Sequence, residues 1–113
     1  MADLTAVAAT NLDKALASEA GKSADIVARD GVLRQTVIAL RKGTRLGAHN
    51  SPPAASLQVL VGKVRVETGE SQQGEFSAGE IWVLTHERHS VLALEDAAFL
   101  LTTVTSTGEG SHS

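Results

Sequence analysis

Short apolar segments of period two, each closed by a turn signal, recur along most of this 113-residue chain. From Ala24 onward apolar residues alternate as they do in strands, and turn residues such as Asp30-Gly31 follow every eight to twelve positions. Glycine favours such turns because it tolerates positive φ. Eight or nine short strands of this kind predict an all-β fold, a closed antiparallel barrel or sandwich.

Several of these strands are apolar on both faces. Leu60 separates Val59 from Val61, and residues 91–94 repeat the pattern with Val, Leu, Ala and Leu. One face is expected to line a barrel, and the other to meet a second sheet or a partner subunit. This arrangement favours a jelly roll over an open meander.

The first residues have a different period. Apolar side chains between Leu4 and Leu16 follow helical spacing, with Asp3 as the expected N-cap and Gly21 as the expected stop. This helix is expected to pack on the outside of the domain or against a partner subunit. The chain is therefore divided into a helix packed on the barrel (1–22), the barrel (23–105) and a flexible, polar tail (106–113).

Composition excludes several classes of function. Ten basic and thirteen acidic residues give a net charge of −3, and no basic stripe favours nucleic acid. The absence of cysteine removes disulfides and thiolate chemistry. No secretory leader pattern precedes Lys14, and no apolar run approaches the roughly 20 residues of a membrane span. A soluble cytoplasmic protein without a membrane partner is expected.

Two histidines, His49 and His89, lie forty positions apart in glycine-punctuated stretches. Five residues separate Gly43 from His49, and Gly62 ends the same stretch. This spacing resembles the first half-motif of the cupin superfamily, which runs Gly, five residues, His-x-His, three or four residues, Glu, six residues, Gly. Ser51 stands at the second histidine position and Ala55 at the glutamate position.

The second half-motif of that family runs Gly-x5-Pro-x-Gly-x2-His. Here Gly79 is followed by Thr85 in the proline place and by His89, with one residue fewer between them. The resemblance spans residues 32–105 and extends to small, single-domain, RmlC-like cupins of bacteria, most of which have no assigned activity. It implies a jelly-roll barrel, the double-stranded β-helix of cupins, with the short N-terminal helix added to it.

A typical cupin site, by this resemblance, holds Fe, Mn, Ni or Zn with three histidines and a glutamate. Two candidate metal ligands remain here, one fewer than open catalytic zinc sites keep. The cofactor expected is therefore none, or a weakly held divalent metal. Strand phase turns Leu57 and Val59 inward and Gln58 outward. The predicted ligand pocket consists of His49, His89, Ser51, Ala55, Leu57 and Val59. Its two histidines are also the candidate metal ligands.

The first functional hypothesis is a small-molecule-binding protein that holds an organic acid or a similar metabolite between aliphatic walls and the two histidines. The alternative is a metal-dependent cupin enzyme of dioxygenase or isomerase type with an incomplete histidine site. The third hypothesis is a barrel that binds no ligand. No catalytic residue is assigned, so whether the chain is an enzyme stays open. Arg41, Arg45 and Arg88 lie near the loops and can add contacts to an anion.

A homodimer is expected, because pairing would cover exposed strand edges and the apolar outer face. Trp82 is interpreted as a core or interface residue on an outer sheet face, since its indole N–H needs a partner when it is buried.

Overall fold

A computed structural model describes residues 2–49, 53–68, 71–85 and 88–105, and for Ala48, His49 and Ser71 it describes the backbone only. The predicted tail, residues 106–113, lies outside the described residues. Within the described ranges the elements are α1 (Leu4–Ala17), β1 (Lys22–Asp30), β2 (Leu33–Leu40), β3 (Arg45–His49), β4 (Ala54–Val61), β5 (Lys63–Thr68), β6 (Ser71–Ser77), β7 (Ile81–Val83), β8 (His89–Ala93) and β9 (Ala97–Val104).

The strands form two antiparallel sheets. Sheet A has the order β1-β2-β9-β4-β7, and sheet B has the order β3-β8-β5-β6. Neighbours distant in sequence lie side by side, as β2 and β9 do, so the chain crosses repeatedly between the sheets. The predicted all-β jelly roll with a short N-terminal helix is confirmed. β3 is a strand that the period-two pattern did not resolve, because Gly47 interrupts its apolar residues.

α1 begins where the sequence predicts and ends early. Asp3 Oδ1 accepts hydrogen bonds from the backbone N–H of Thr5 (3.0 Å) and Ala6 (3.3 Å), which is an N-cap. Ser18 is already extended, at φ −86° and ψ 140°, and its hydroxyl accepts from the Ala20 N–H at 3.1 Å. This local bond competes with the helix, so α1 stops before the predicted Gly21.

α1 packs on the outer face of sheet A. Its small residues Ala8 and Ala15 are buried against Val37, Ala39 and Ala98 of β2 and β9. The second apolar face of sheet A is therefore covered by the protein's own helix, which is one of the two placements expected for it. In the described ranges, no helix combines the length and the apolar character that a membrane-spanning segment requires.

A polar contact fixes α1 against β1. The fully buried Asn11 donates from Nδ2 to Asp25 Oδ2 at 2.8 Å and to the carbonyl of Val7 at 3.0 Å. The Ser23 hydroxyl donates to Asn11 Oδ1 at 2.7 Å. The buried amide thus has partners for both its donor and its acceptor, as a buried polar group requires.

The two sheets enclose one apolar core. It contains Leu57 and Val59 of β4 together with buried residues of β2, β5, β8 and β9, and partly buried residues of β3, β6 and β7 pack against it. The barrel interior is therefore filled with side chains over most of its length. Its fully or nearly buried members are Ile38, Leu40, Leu57, Val59, Val64, Val66, Val91, Ala93, Ala97 and Phe99.

Candidate functional site

Strands β3 and β8 bring the two motif histidines into register across sheet B. Leu46 pairs with Val91, and the next recorded pair is His49 with His89. Three steps along β3 therefore match two steps along β8, which is a β-bulge in β3. Because the bulge adds one residue, the position opposite His89 belongs to His49 and not to Ala48.

His89 belongs to the strand face that lines the barrel. It precedes Val91 and Ala93 in the alternation of β8, and both of these residues lie in the barrel core. Its Nε2 is 3.1 Å from Thr85 Oγ1, a hydrogen bond whose direction depends on the imidazole tautomer. The ring of Trp82 meets the imidazole edge-on, with centroids 6.0 Å apart and planes at 82°. These two contacts hold the half-buried imidazole in a defined orientation.

Trp82 connects the two sheets at the same end of the barrel. It lies on β7 of sheet A, and its ring stacks on Phe76 of β6 in sheet B, with centroids 5.4 Å apart and planes at 23°. Both rings pack against the barrel core. The expected placement of Trp82 on an outer face is wrong, because Trp82 pairs with the inward Leu57 while Ile81 and Val83 face outward.

Thr68 extends the site along sheet B, and sequence reasoning missed it. Val64 and Val66 of β5 lie in the barrel core, and Thr68 follows at the same alternation with 9% of its surface exposed. Glu67 and Ser90 are the last pair between β5 and β8, and Thr68 and His89 are the next residues of the two strands. The signal was present in the sequence, since counting by twos from Val64 reaches Thr68.

Gln73 joins Thr68 from the neighbouring strand. β5 and β6 shift register between Val66 and Glu67, where Gln73 is the extra residue of β6. Its amide Nε2 donates to Thr68 Oγ1 at 2.9 Å. Across sheet B the barrel end thus carries a line of polar residues, called the polar row below: His49 by its register position, then His89, Thr68 and Gln73.

The other predicted pocket residues have different surroundings. Leu57 and Val59 point inward, as their strand phase predicts, and are fully buried in the barrel core. Ala55 is buried on β4 opposite Thr103 of β9. Ser51 lies outside the described residues. The aliphatic walls are therefore part of the packed core, and the polar groups gather at its end.

Two of the three loop arginines are engaged away from the polar row. The Arg41 guanidinium donates to the carbonyl of Ser18 at 2.9 Å, just beyond the end of α1. Arg45 donates to Glu67 Oε1 at 2.9 Å. This geometry does not support an anion contact from either Arg41 or Arg45. Arg88 is exposed.

The donor set of the described side chains does not fit the metal centre that the cupin resemblance implies. Among the described side chains, no group of three or more His, Cys, Asp or Glu residues lies close enough together to hold a metal ion. The glutamate position holds Ala55, a buried methyl group that offers no ligand atom. A divalent ion there would lack the carboxylate that Mn and Fe favour.

The outer face of sheet B carries a chain of ion pairs. Arg65 contacts Glu75 at 2.9 Å and Glu67 at 3.9 Å, while Lys63 contacts Glu75 at 3.6 Å. The hydrogen bond from Arg65, the strongest influence, lowers the pKa of the Glu75 carboxyl from its ordinary value of 4.5. These side chains are partly exposed, from 19% at Glu67 to 40% at Lys63, so solvent reaches this face.

The outer face of sheet A has an apolar depression next to the area that α1 covers. Its volume is about 220 Å³, and its lining residues are Ala54, Ala55, Ser56, Val83, Thr102 and Val104. Beside it, Ile81 and Val83 on the edge strand β7 expose 61% and 71% of their surfaces. This depression lies on the opposite side of sheet A from the barrel interior, because Val83 alternates with the inward Trp82.

No family model and no curated protein matches the chain. Solved structures do. A conserved protein of unknown function from Streptococcus pyogenes is 23% identical, with a TM-score of 0.70 and 80% of each chain covered. A cupin superfamily protein from Desulfitobacterium hafniense is 9% identical, with a TM-score of 0.68 over 75% of this chain and 78% of the other. KdgF from Halomonas sp. is 24% identical, with a TM-score of 0.65 over 78% and 84%. At these identities the likeness shows the fold, and the fold of this chain is that of the RmlC-like cupins.

Proposed function

We propose that this chain, which has the cupin fold, is a small-molecule-binding protein that holds a small organic acid at the barrel end between His49 and His89. The observation that carries the proposal is the register of β3 and β8, which pairs the two residues through a bulge. Residues paired directly across an antiparallel ladder have Cβ atoms about 4.5–5.5 Å apart on one side of the sheet. Two imidazoles at that spacing can share one carboxylate.

The surroundings of His89 support an organic acid over a purely inorganic anion. The ring of Trp82 lies against the imidazole, and Leu84 and Leu101 pack nearby against the core. Aliphatic and aromatic walls with a few convergent polar groups are typical of small-molecule pockets. A ligand with a carboxylate at one end and a branched hydrocarbon at the other matches both kinds of surface.

Trp82 provides the test, because it is the only tryptophan of the chain and contacts His89. Tryptophan fluorescence is followed while 3-methylbutanoate is added, with 3-methylbutanamide as the uncharged probe of the same shape. The acid is expected to give a saturable change and to bind roughly tenfold more tightly than the amide, because a hydrogen bond to a charged group is the stronger kind.

The variants His49→Ala and His89→Ala are each expected to lose this response while they keep a cooperative melting transition. Ser90→Ala, which changes the neighbour of His89 on the opposite strand face, is the matched control and is expected to respond like the wild type. Equal affinity for acid and amide, or an unchanged response in both histidine variants, would refute the proposal.

A metal-dependent cupin enzyme of dioxygenase or isomerase type is the alternative, and the donor set argues against it. Elemental analysis of protein purified without chelator separates the two. We expect no stoichiometric Fe, Mn, Ni or Zn, or a weakly held ion that dialysis removes. A transition metal retained at one equivalent and lost in the His49→Ala His89→Ala double variant would establish the alternative. A cytoplasmic location stays a prediction from the sequence.

We also propose a homodimer formed at the β7 edge of sheet A. Ile81 and Val83 expose apolar surface there, whereas the opposite edge strand, β1, carries charged residues and a register shift, two features that discourage pairing. Sedimentation equilibrium is expected to show a dimer for the wild type and a monomer for Val83→Lys. Ile26→Lys, at a β1 residue that is 53% exposed, is the control and is expected to stay dimeric. A monomeric wild type would refute the dimer.

A further inference from the structure

We infer that the ligand is a hydroxycarboxylate, and that Thr68 and Gln73 bind its hydroxyl group. The inference rests on the proposed function, since it assumes that the carboxylate lies at the two histidines. It adds a second recognition element on the next strands of sheet B and narrows the class of ligand.

The first argument is position. Thr68 follows Val64 and Val66 on the inner face of β5. The last pair between β5 and β8 is Glu67 with Ser90, so Thr68 and His89 are the next residues of the two strands beyond it. Adjacent strands lie about 4.8 Å apart. A short acid that binds a histidine through its carboxylate would therefore bring a hydroxyl group on C2 or C3 to the neighbouring strand.

The second argument is that the two edge strands of sheet B, β3 and β6, each have a β-bulge next to the same row of residues. β3 has a bulge between Leu46 and His49, and β6 has one opposite the step from Val66 to Glu67. Leu46 and Val66 both pair with Val91, one from each side. The two bulges therefore begin at the same row of the sheet. Bulges re-aim side chains and are over-represented next to functional sites.

The third argument is the chemistry of the pair. Gln73 donates to Thr68 Oγ1, which leaves the hydroxyl hydrogen of Thr68 as a donor and the amide oxygen of Gln73 as an acceptor. Neither group carries a charge. A ligand hydroxyl, which both donates and accepts one hydrogen bond, is the simple partner for a donor and an acceptor held side by side.

A purely structural role for the bond makes a different prediction, and the chain provides the comparison. On the outer face of sheet A, Gln35 Nε2 donates to Thr102 Oγ1 at 3.1 Å, the same pair of residue types on neighbouring strands. Thr102 lies away from the barrel interior, beside the apolar depression. Thr102→Val therefore removes an equivalent bond without touching the polar row.

The test measures how much more tightly the protein binds a hydroxy acid than the parent acid without the hydroxyl group. 2-Hydroxy-3-methylbutanoate and 3-hydroxy-3-methylbutanoate are compared with their common parent, 3-methylbutanoate, by Trp82 fluorescence. In the wild type at least one hydroxy acid is expected to bind about tenfold more tightly than the parent, the usual order for one added hydrogen bond. In Thr68→Val this ratio is expected to fall below about twofold, whereas Thr68→Ser and Thr102→Val keep it.

The outcomes separate the two proposals. If the parent acid binds but neither hydroxy acid binds more tightly, or if Thr68→Val keeps the ratio, the inference is wrong and the proposed function stands. If none of the three acids binds, the proposed function fails and the inference fails with it. A ratio that falls equally in Thr68→Val and Thr102→Val would assign the bond a structural role and would also overturn the inference.

Discussion

The inner face of sheet B changes from apolar to polar between one row of residues and the next. One row consists of Leu46, Val91, Val66 and Gly74, and we call it the core row because its three apolar side chains pack in or against the barrel core. The next row is the polar row. Packing alone can fix the core row, whereas the polar row depends on two bulges and on hydrogen bonds. The comparison indicates that the core row specifies the fold, whereas the polar row contributes the groups of the proposed binding site.

The largest difference is expected between a core residue and a histidine of the polar row. Leu57→Ala removes a fully buried side chain from the barrel interior and should destabilise the protein by about 2–5 kcal/mol. His89→Ala removes a half-buried ring from the barrel end and should cost less than about 1 kcal/mol. Urea unfolding measures both values. Equal losses would mean that the barrel end is packed like the core.

Val66 and Thr68 lie on the same strand, β5, so valine and threonine can be exchanged there in both directions. Val66→Thr keeps the shape but places a hydroxyl group in the apolar core, at a cost of about 1–3 kcal/mol.

Thr68→Val is the reverse exchange, two residues away. It gives up the bond from Gln73 but gains an apolar group, so its effect on stability should stay within about 1 kcal/mol. The same urea experiment compares the two variants, with the wild type measured alongside. A loss for Thr68→Val that matches the loss for Val66→Thr would remove the distinction between the rows.

The smallest effect is expected on the outer face of β5 and β6, where Arg65 holds the pKa of Glu75 below 4.5. A lowered folded-state pKa gives stability that is present above the unfolded value and is lost as pH falls through the folded value. Glu75→Gln should therefore be slightly less stable than the wild type at pH 7 and equal to it in acid below the lowered pKa. Melting temperatures across this range provide the check, and a gap that widens in acid would contradict the assignment.

The sequence was sufficient for the fold because the jelly roll depends on repeated local signals. Period-two segments, turn residues and the half-motif glycines can each be recognised from a few neighbouring residues. Gly62 shows why: its φ is +78°, and a Cβ there would meet the carbonyl oxygen of Asp96, so the turn between β4 and β5 requires this residue. Leu57 and Val59 were placed inward by counting alone.

The candidate site was only partly predictable. His49 and His89 were identified as candidates through motif spacing. Their pairing depends on a bulge that no local sequence pattern predicts. Gln73 reaches the polar row only through a second bulge. Trp82 was placed on the wrong face because its strand is three residues long, too short for its alternation to be read. Register shifts and short edge strands are set by tertiary pairing, and a single sequence does not encode them locally.

The most direct measurement is a titration with 3-methylbutanoate followed by the imidazole ¹⁵N resonances of the four histidines. The account predicts that the resonances of His49 and His89 shift together and give one dissociation constant. Separate constants for His49 and His89, or no shift in either, would contradict a shared binding site at the barrel end.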